Sequence, residues 1–425
     1  MRNSLKNIYL NLSIFCFYFS LITFQVFGAN LAIGDIFLIP IFLIFIYLFL
    51  NAKIIRGHDK KSLKNSVIVI VLIIFFSIFS FINYLNYSFS INKSIIELMK
   101  LLIALSYGIV AAFFMFLGND TYRKKFDNFF LYGAVMVSFL GILGVVLYHI
   151  GIMTPFQMNG GRAKGTLSDT NIMGIFLTVQ LPLVINAYFQ SKRKKTLCAL
   201  IIILIGVFLT ASKAAILVII LMVVLMLSLF ASFGHMKKNI QLLFLLLITL
   251  PIIYFLFKDS TIFNLVLSRF SEFSSGDASK ITTGRTDLWL FAISLMETPS
   301  RVLFGIGYGV FGQFIQGQDV PYYLKGITLV HNTLLSMFVE TGILCLILIL
   351  MTLITICIKF IYVLFKIKSI EMIFLFISFI NLFIGLNEVN LQNNRFLYIY
   401  LVYFYFVINS ENRKTRYLNQ DIKEF

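Results

Sequence analysis

Apolar runs of roughly 17–25 residues recur along this chain, and no other feature limits its folding as much. A helix of that length crosses a ~30 Å hydrocarbon layer, where lipid offers no partner to a free backbone N–H or carbonyl. Twelve such runs can be marked, at about 8–27, 31–50, 66–83, 95–117, 129–152, 171–189, 196–212, 214–232, 240–257, 342–365, 371–386 and 396–410. With 60% apolar residues, 48 Phe and a mean hydropathy of +0.94, the 425 residues carry more apolar surface than a soluble core could bury. The expected fold class is an all-α polytopic membrane protein of about twelve transmembrane helices.

The joints between the runs alternate in charge. Basic residues gather at the N-terminus (Arg2, Lys6), in "NAKIIRGHDKKSLKN", "TYRKKFD", "QSKRKK", "GHMKK" and "KIK", and in the tail "NRKTR". Lys and Arg collect on the cytoplasmic side of spanning helices, so these joints and both termini are predicted to be cytoplasmic. Counting Lys359, that side takes 23 of the 35 basic residues. The net charge of +17 is then a topology signal set against anionic lipid, and it requires no nucleic acid. The first run lacks a small-residue cleavage site and is read as a retained helix. Cys16, Cys198, Cys345 and Cys357 lie inside apolar runs without ligand spacing, which predicts packing roles and no metal site.

Polar residues in a membrane protein are costly, and here the unusual ones fall on the outer side. The boundaries expected are spans 1 to 9 over 1–257, a large outer loop over 258–330, spans 10 to 12 over 331–410 and a cytoplasmic tail over 411–425. The loop contains "TTGRTDLWLFAISLMETPS", read as a short helix capped by Thr286 or Asp287, stopped by Pro299 and either lying at the membrane interface or dipping part-way in. Arg285 opens that helix, where free N–H groups favour an anion; the competing reading pairs it with Asp287 or Glu272. "LFGIGYGVFG" lacks the strand–helix frame of a nucleotide loop, and its glycines are read as permitting a tight turn or close backbone approach.

Further cations come from other outer joints. "NGGRAKGTLSDTNIMG" places Arg162 and Lys164 in a glycine-bracketed loop, with Asn171 at the mouth of the next span. In "TASKAA" the chain must turn between two cytoplasmic basic clusters, which puts Lys213 at the turn, poorly hydrated and expected either to snorkel to water or to meet an anion. "TLVHNTLLSMFVETGIL" sets His331 and Asn332 at the outer end of a helix that Gly342 passes into a span, with Glu340 about two and a half turns deeper. A His at a membrane boundary is by default a satisfied interfacial residue; here a neutral imidazole could take a proton from a hydroxyl while the carboxylate orients the ring. Four cations and one His are thus expected to converge on the outer face, where they suit a substrate diphosphate. Inside the spans, Glu97 and Lys100 are spaced to pair locally.

"GRAKGTLSDTN", "ASKAA", "GRTDLW", "GIGYGVF" and "HNTLLSMFVETGILCL", in this order, resemble the O-antigen ligase and O-antigen polymerase superfamily over residues 160 to 350. The resemblance implies a helical membrane fold of the GT-C class in a bacterial cytoplasmic membrane, acting on its outer face. It implies a metal-independent, cofactor-free inverting glycosyltransferase whose donor is an undecaprenyl-diphosphate-linked glycan, with a chain-length regulator as a partner. Arg285 and Lys213 would bind the donor diphosphate, and His331 would act as base or orient the acceptor. The chain has Ser212-Lys213 where many ligases have Ser-Arg, which keeps the charge but loses the bidentate fork. That departure favours a polymerase joining lipid-linked repeat units over a ligase moving the finished chain to a lipid A core. A transporter of lipid-linked oligosaccharide is a more distant alternative.

Overall fold

The computed structural model describes residues 2–26, 29–50, 60–84, 91–118, 120–158, 160–259, 261–271, 284–317, 327 and 329–421. In chain order these form α1 (Arg2–Ser20), β1 (Thr23–Val26), β2 (Ala29–Ala32), α2 (Asp35–Leu50), α3 (Lys60–Phe79), α4 (Phe81–Tyr84), α5 (Ile91–Leu117) and α6 (Asp120–His149). Two short strands, β3 (Gln157–Met158) and β4 (Arg162–Ala163), precede α7 (Thr170–Ser191), α8 (Lys194–Leu209), α9 (Lys213–Ser232), α10 (Met236–Phe257) and α11 (Thr261–Ser271). There follow α12 (Arg285–Ser294), α13 (Pro299–Phe304), α14 (Phe311–Gly317), α15 (Thr333–Thr341), α16 (Ile343–Ile367), α17 (Ile370–Glu388) and α18 (Arg395–Asp421).

The protein is a helical, multi-pass membrane protein. Among the described residues, seven helices are long and apolar enough to cross a bilayer: Lys61–Phe79, Ile91–Leu117, Thr121–His149, Thr170–Ser191, Lys213–Ser232, Ile343–Ile367 and Ile370–Glu388. Each remaining apolar run also carries a helix, although the first departs from the expected 8–27. Its helix ends at Ser20, and Thr23 to Val26 instead pair antiparallel with Ala29 to Ala32. β-Branched and aromatic residues favour that pleated arrangement. The short connection at "TASKAA" does turn, with α8 ending at Leu209 and α9 beginning at Lys213.

The chain divides into two compact units. The first comprises Met1–Lys125, Gly276–Ile358 and Leu386–Ser410. Its core includes Tyr9, Phe17, Tyr107, Phe114, Tyr308, Phe311 and Tyr400, all buried. The loop helices of this unit are amphipathic: Leu288 and Ala292 of α12 join Ile306, Phe311, Val330 and Val339 in one buried cluster, while Leu290 and Ile293 are exposed. Elsewhere in the unit, Arg395 is buried against Asp35, its Nε donating to Oδ1 at 2.7 Å and its Nη2 to Oδ2 at 2.5 Å. Tyr107 Oη and the Ala32 amide donate to the same carboxylate at 3.0 and 2.8 Å. The expected local pair is also present, with Lys100 Nζ 2.6 Å from Glu97 Oε1.

The second unit comprises Phe126–Ser275, Lys359–Gly385 and Glu411–Phe425. Its helices approach closely where side chains are small: Gly206 lies against Ser138, and Gly174 against Ala215 and Ser212. Small residues let backbones come together where lipid removes the usual hydrophobic drive between helices. Phe374 bridges two aromatic neighbours here, with ring centroids 5.6 Å from Phe230 and 5.9 Å from Phe189. Cys16 and Cys345 are buried as expected, but Cys198 sits on the exposed side of α8 and packs no core.

Candidate functional site

Four of the eight predicted site residues, Arg285, His331, Asn332 and Glu340, belong to the first unit. Arg162, Lys164, Asn171 and Lys213 belong to the second.

Arg285 is the first residue of α12, as the sequence predicts, but the helix is capped by Gly284 at φ 78° and not by Thr286 or Asp287. Its stop also differs: α12 ends at Ser294, and Pro299 opens α13, where the Thr298 side chain accepts from the Arg301 amide. The Arg285 guanidinium donates from Nη1 to Glu388 Oε2 at 2.7 Å. That partner is neither of those expected; Glu272 lies outside the described residues. Trp289, one turn along the same face of α12, donates its indole N–H to the Val330 carbonyl at 3.1 Å. The helix that carries Arg285 therefore also holds the residue just before His331.

His331 lies outside the helix whose outer end the sequence assigns to it. Its φ is +55°, and α15 begins two residues later. Asn332 explains the difference: its side chain accepts from the Leu335 amide at 2.9 Å and so caps the helix, leaving His331 outside. A left-handed conformation costs a non-glycine residue about 1–2 kcal/mol, although His tolerates it better than most. The Asn332 amide donates to Asn390 Oδ1 at 2.8 Å, and Thr333 Oγ1 donates to the Val389 carbonyl at 2.6 Å. Residues 388, 389 and 390 thus grip Arg285 and both residues that follow His331. The imidazole is presented by a loop fixed on either side, one flank through Trp289 and the other through Asn390.

The cap makes a checkable claim. Asn332→Ala is expected to cost about 0.5–2 kcal/mol of stability, whereas Asn332→Asp or Asn332→Ser keeps most of it. Thermal unfolding in detergent of the three variants measures the difference.

Glu340 lies on α15 and is 5% exposed. Burial, reinforced by the charge of Glu97, pushes its carboxyl up from 4.5 to about 8; the amides of Gly309 and Phe311 and the Ser336 hydroxyl pull the other way. Gln392 Nε2 donates to Ser336 Oγ at 2.7 Å, and Asn393 Nδ2 donates to Glu97 Oε2 at 2.8 Å. Tyr308 completes the network by donating to Asn393 Oδ1 at 2.6 Å; burial and the nearby Glu340 push its phenol well up. An acid whose value is raised on folding binds more protons in the native state than in the unfolded one. Its contribution is full below 4.5 and is lost as pH rises to about 8, with a slope of up to ~1.4 kcal/mol per pH unit. Wild-type protein is therefore expected to lose stability between pH 5 and pH 8 relative to Glu340→Gln. Parallel melting curves at the two pH values test this.

The glycine loop serves this packing. Gly305 has φ +76°, and a side chain there would run into the Glu340 backbone, while the Ile306 amide donates to the Val339 carbonyl at 2.8 Å. Gly342 (φ +86°) similarly leaves no room for a side chain beside the Leu303 carbonyl, and it ends α15 before α16 begins. Of the motif's glycines, Gly305 admits the end of α15, whereas Gly307 lies against Tyr84 and Gly309 against Glu97.

In the second unit, Asp169 caps α7, accepting from the Asn171 amide at 2.7 Å, which places Asn171 in the first turn. Arg162 donates from Nη2 to Asn171 Oδ1 at 3.2 Å and from Nε to the Thr210 carbonyl at 2.8 Å, with the Ala211 carbonyl 3.4 Å from Nη2. Its guanidinium thereby braces the turn that leads through Ser212, the cap of α9, to Lys213 at that helix's start. Lys164 is half-buried, and its backbone N–H donates to the Phe156 carbonyl at 3.0 Å. A cation at a helix N-terminus together with free helix amides forms an anion-binding arrangement.

The sequence reading passed over residues 387–395, "NEVNLQNNR", which supply partners to Arg285, Asn332, Thr333, Ser336, Tyr308, Glu97 and Asp35. The signal was present, since seven of these nine residues are polar and stand between two apolar runs.

Residues 198–350 match the sequence model of a family described as O-antigen ligase. The match includes Lys213, Arg285, His331, Asn332 and Glu340, and it leaves Arg162, Lys164 and Asn171 outside. No curated protein matches the chain.

Proposed function

We propose, from the match of residues 198–350 to a family described as O-antigen ligase, that this protein polymerises lipid-linked oligosaccharide repeat units of a bacterial surface polysaccharide. The donor is an undecaprenyl-diphosphate-linked glycan, and the reaction takes place on the outer face of the cytoplasmic membrane. An acceptor hydroxyl gives its proton to the His331 imidazole as its oxygen attacks the anomeric carbon with inversion. The bond from that carbon to the diphosphate breaks, and the electron pair leaves with the phosphate oxygen. Arg285 meets the charge that grows on the leaving group, and the imidazolium later returns its proton to water. No metal ion is required by this scheme. The carrying observation, beyond the family match, is that one short segment, 388–390, holds both Arg285 and the backbone beside His331.

A ligase that moves the finished glycan to a lipid A core is the alternative, favoured by the description of the matching family. The two differ in acceptor alone. Surface glycan from a deletion strain decides between them: single repeats on lipid A mean a polymerase, and lipid A free of glycan means a ligase. A lipid-linked oligosaccharide transporter would produce no longer glycan when purified with donor and acceptor. For the polymerase, a chain-length regulator is the expected protein partner.

In the second unit, Lys213 is assigned on its own the role of a phosphate contact. Lys213→Arg is expected to retain polymer synthesis, because the charge persists, while Lys213→Ala lowers it at normal protein abundance. Polymer length on a gel is the readout, and an inactive but abundant Lys213→Arg would show a steric requirement instead.

A further inference from the structure

Within the first unit, α3, α16 and α18 enclose a cleft of about 320 Å³, at the lower end of the ~300–1,000 Å³ range of small-molecule sites. Its walls are apolar: Ile70 and Ile73 on α3, Leu348 and Ile356 on α16, and Leu401 and Val402 on α18. Polarity is concentrated at one end, where Asn65 Nδ2 donates to Tyr405 Oη at 3.0 Å. On α3 the positions 61, 65, 69 and 73 recur every four residues and share a face, so the lining row Asn65, Val69 and Ile73 continues into Lys61 at the mouth. Lys61 and Lys64 are both exposed.

We propose that this cleft binds one anionic phospholipid of the bilayer, with an acyl chain between the three helices and its phosphate at Lys61 and Lys64. The apolar walls fit a hydrocarbon chain, and the lysines complement a negative headgroup. A net-neutral phospholipid would gain much less from them. The glycan donor does not fit the same place. Phe79 at the far end of α3 packs on Phe304 at 5.0 Å, beside the start of α16 at Gly342, so α3 and α16 run antiparallel. The lysine end of the cleft therefore lies ~20 Å along α16 from α15 and the residues around His331. The inference is independent of the glycan-transfer reading.

Native mass spectrometry of the full chain, delipidated in mild detergent and then given phosphatidylglycerol or phosphatidylcholine, tests it. One phosphatidylglycerol is expected to remain bound at activation energies that strip phosphatidylcholine. The double substitution Lys61→Gln, Lys64→Gln should weaken retention about ten-fold or more, and Thr352→Trp, which fills the cleft, should abolish it. Lys194→Gln with Lys195→Gln, an exposed pair on α8, removes the same charge and should change nothing. Equal retention of the two lipids, or retention that survives Lys61→Gln, Lys64→Gln, overturns the proposal. So does displacement of phosphatidylglycerol by an equimolar polyprenyl phosphate, which would assign the cleft to a donor tail. If Thr352→Trp fails to fold, the lysine variants still decide.

Discussion

Replacing His331 with alanine is expected to lower glycan transfer by about 10²–10⁴-fold, the range that a positioned acid–base group contributes. Protein abundance should stay normal, because the tethers through Trp289, Asn332 and Thr333 persist whatever side chain stands at 331. Lipid-linked glycan resolved by gel from cells carrying the variant measures the effect, and polymer of normal length would refute the assignment. Arg285→Ala should be similarly damaging through loss of charge stabilisation, a ~10²–10³-fold effect for a comparable donor. Because Arg285 is paired, its loss alone does not separate chemistry from structure. Glu388→Gln does: it removes the partner's charge while keeping its shape. If Arg285 serves the leaving group, that variant stays active; if the ion pair serves only to hold the loop, both variants fail alike.

The second large effect concerns stability. The side chains of Arg395 and Asp35 are 9% and 12% exposed, and breaking such a buried pair from one side leaves an uncompensated charge, costing about 3–5 kcal/mol. Arg395→Ala is thus expected to reduce thermal stability in detergent severely, and Asp35→Ala to do the same. The double change Asp35→Leu with Arg395→Met should recover much of the loss, since replacing both charges removes the desolvation cost that the pair itself bears. A single variant as stable as the wild type would show that solvent reaches the site.

Much of the architecture was legible because a bilayer imposes a length rule on apolar runs, and α3, α5, α7, α9, α16 and α17 follow it. The turn at Lys213 was legible for the same reason: two basic clusters could not share a side with only one helix between them. The first run misleads because composition cannot separate a continuing helix from a hairpin when the residues are β-branched and aromatic, as Thr23, Phe24 and Val26 are. Periodicity alone extends the helix back to His331, whereas one hydrogen bond, from the Leu335 amide to the Asn332 side chain, decides where it starts. Arg285 was correctly placed at a helix start, but its partner lies 103 positions away. Pairings across such separations leave no periodic trace. The segment around Asn390 was overlooked because short polar joints look like ordinary connections until their donors and acceptors are traced.

The tether at Asn390 grips main-chain atoms, so it is indifferent to the identity of the side chain displayed just before it. On the proposed reaction, the frame can therefore be probed apart from the imidazole it displays. A glycine or alanine at position 331 removes the half-buried imidazole while the Asn390 tether persists, and free imidazole from the medium is then expected to restore part of the turnover.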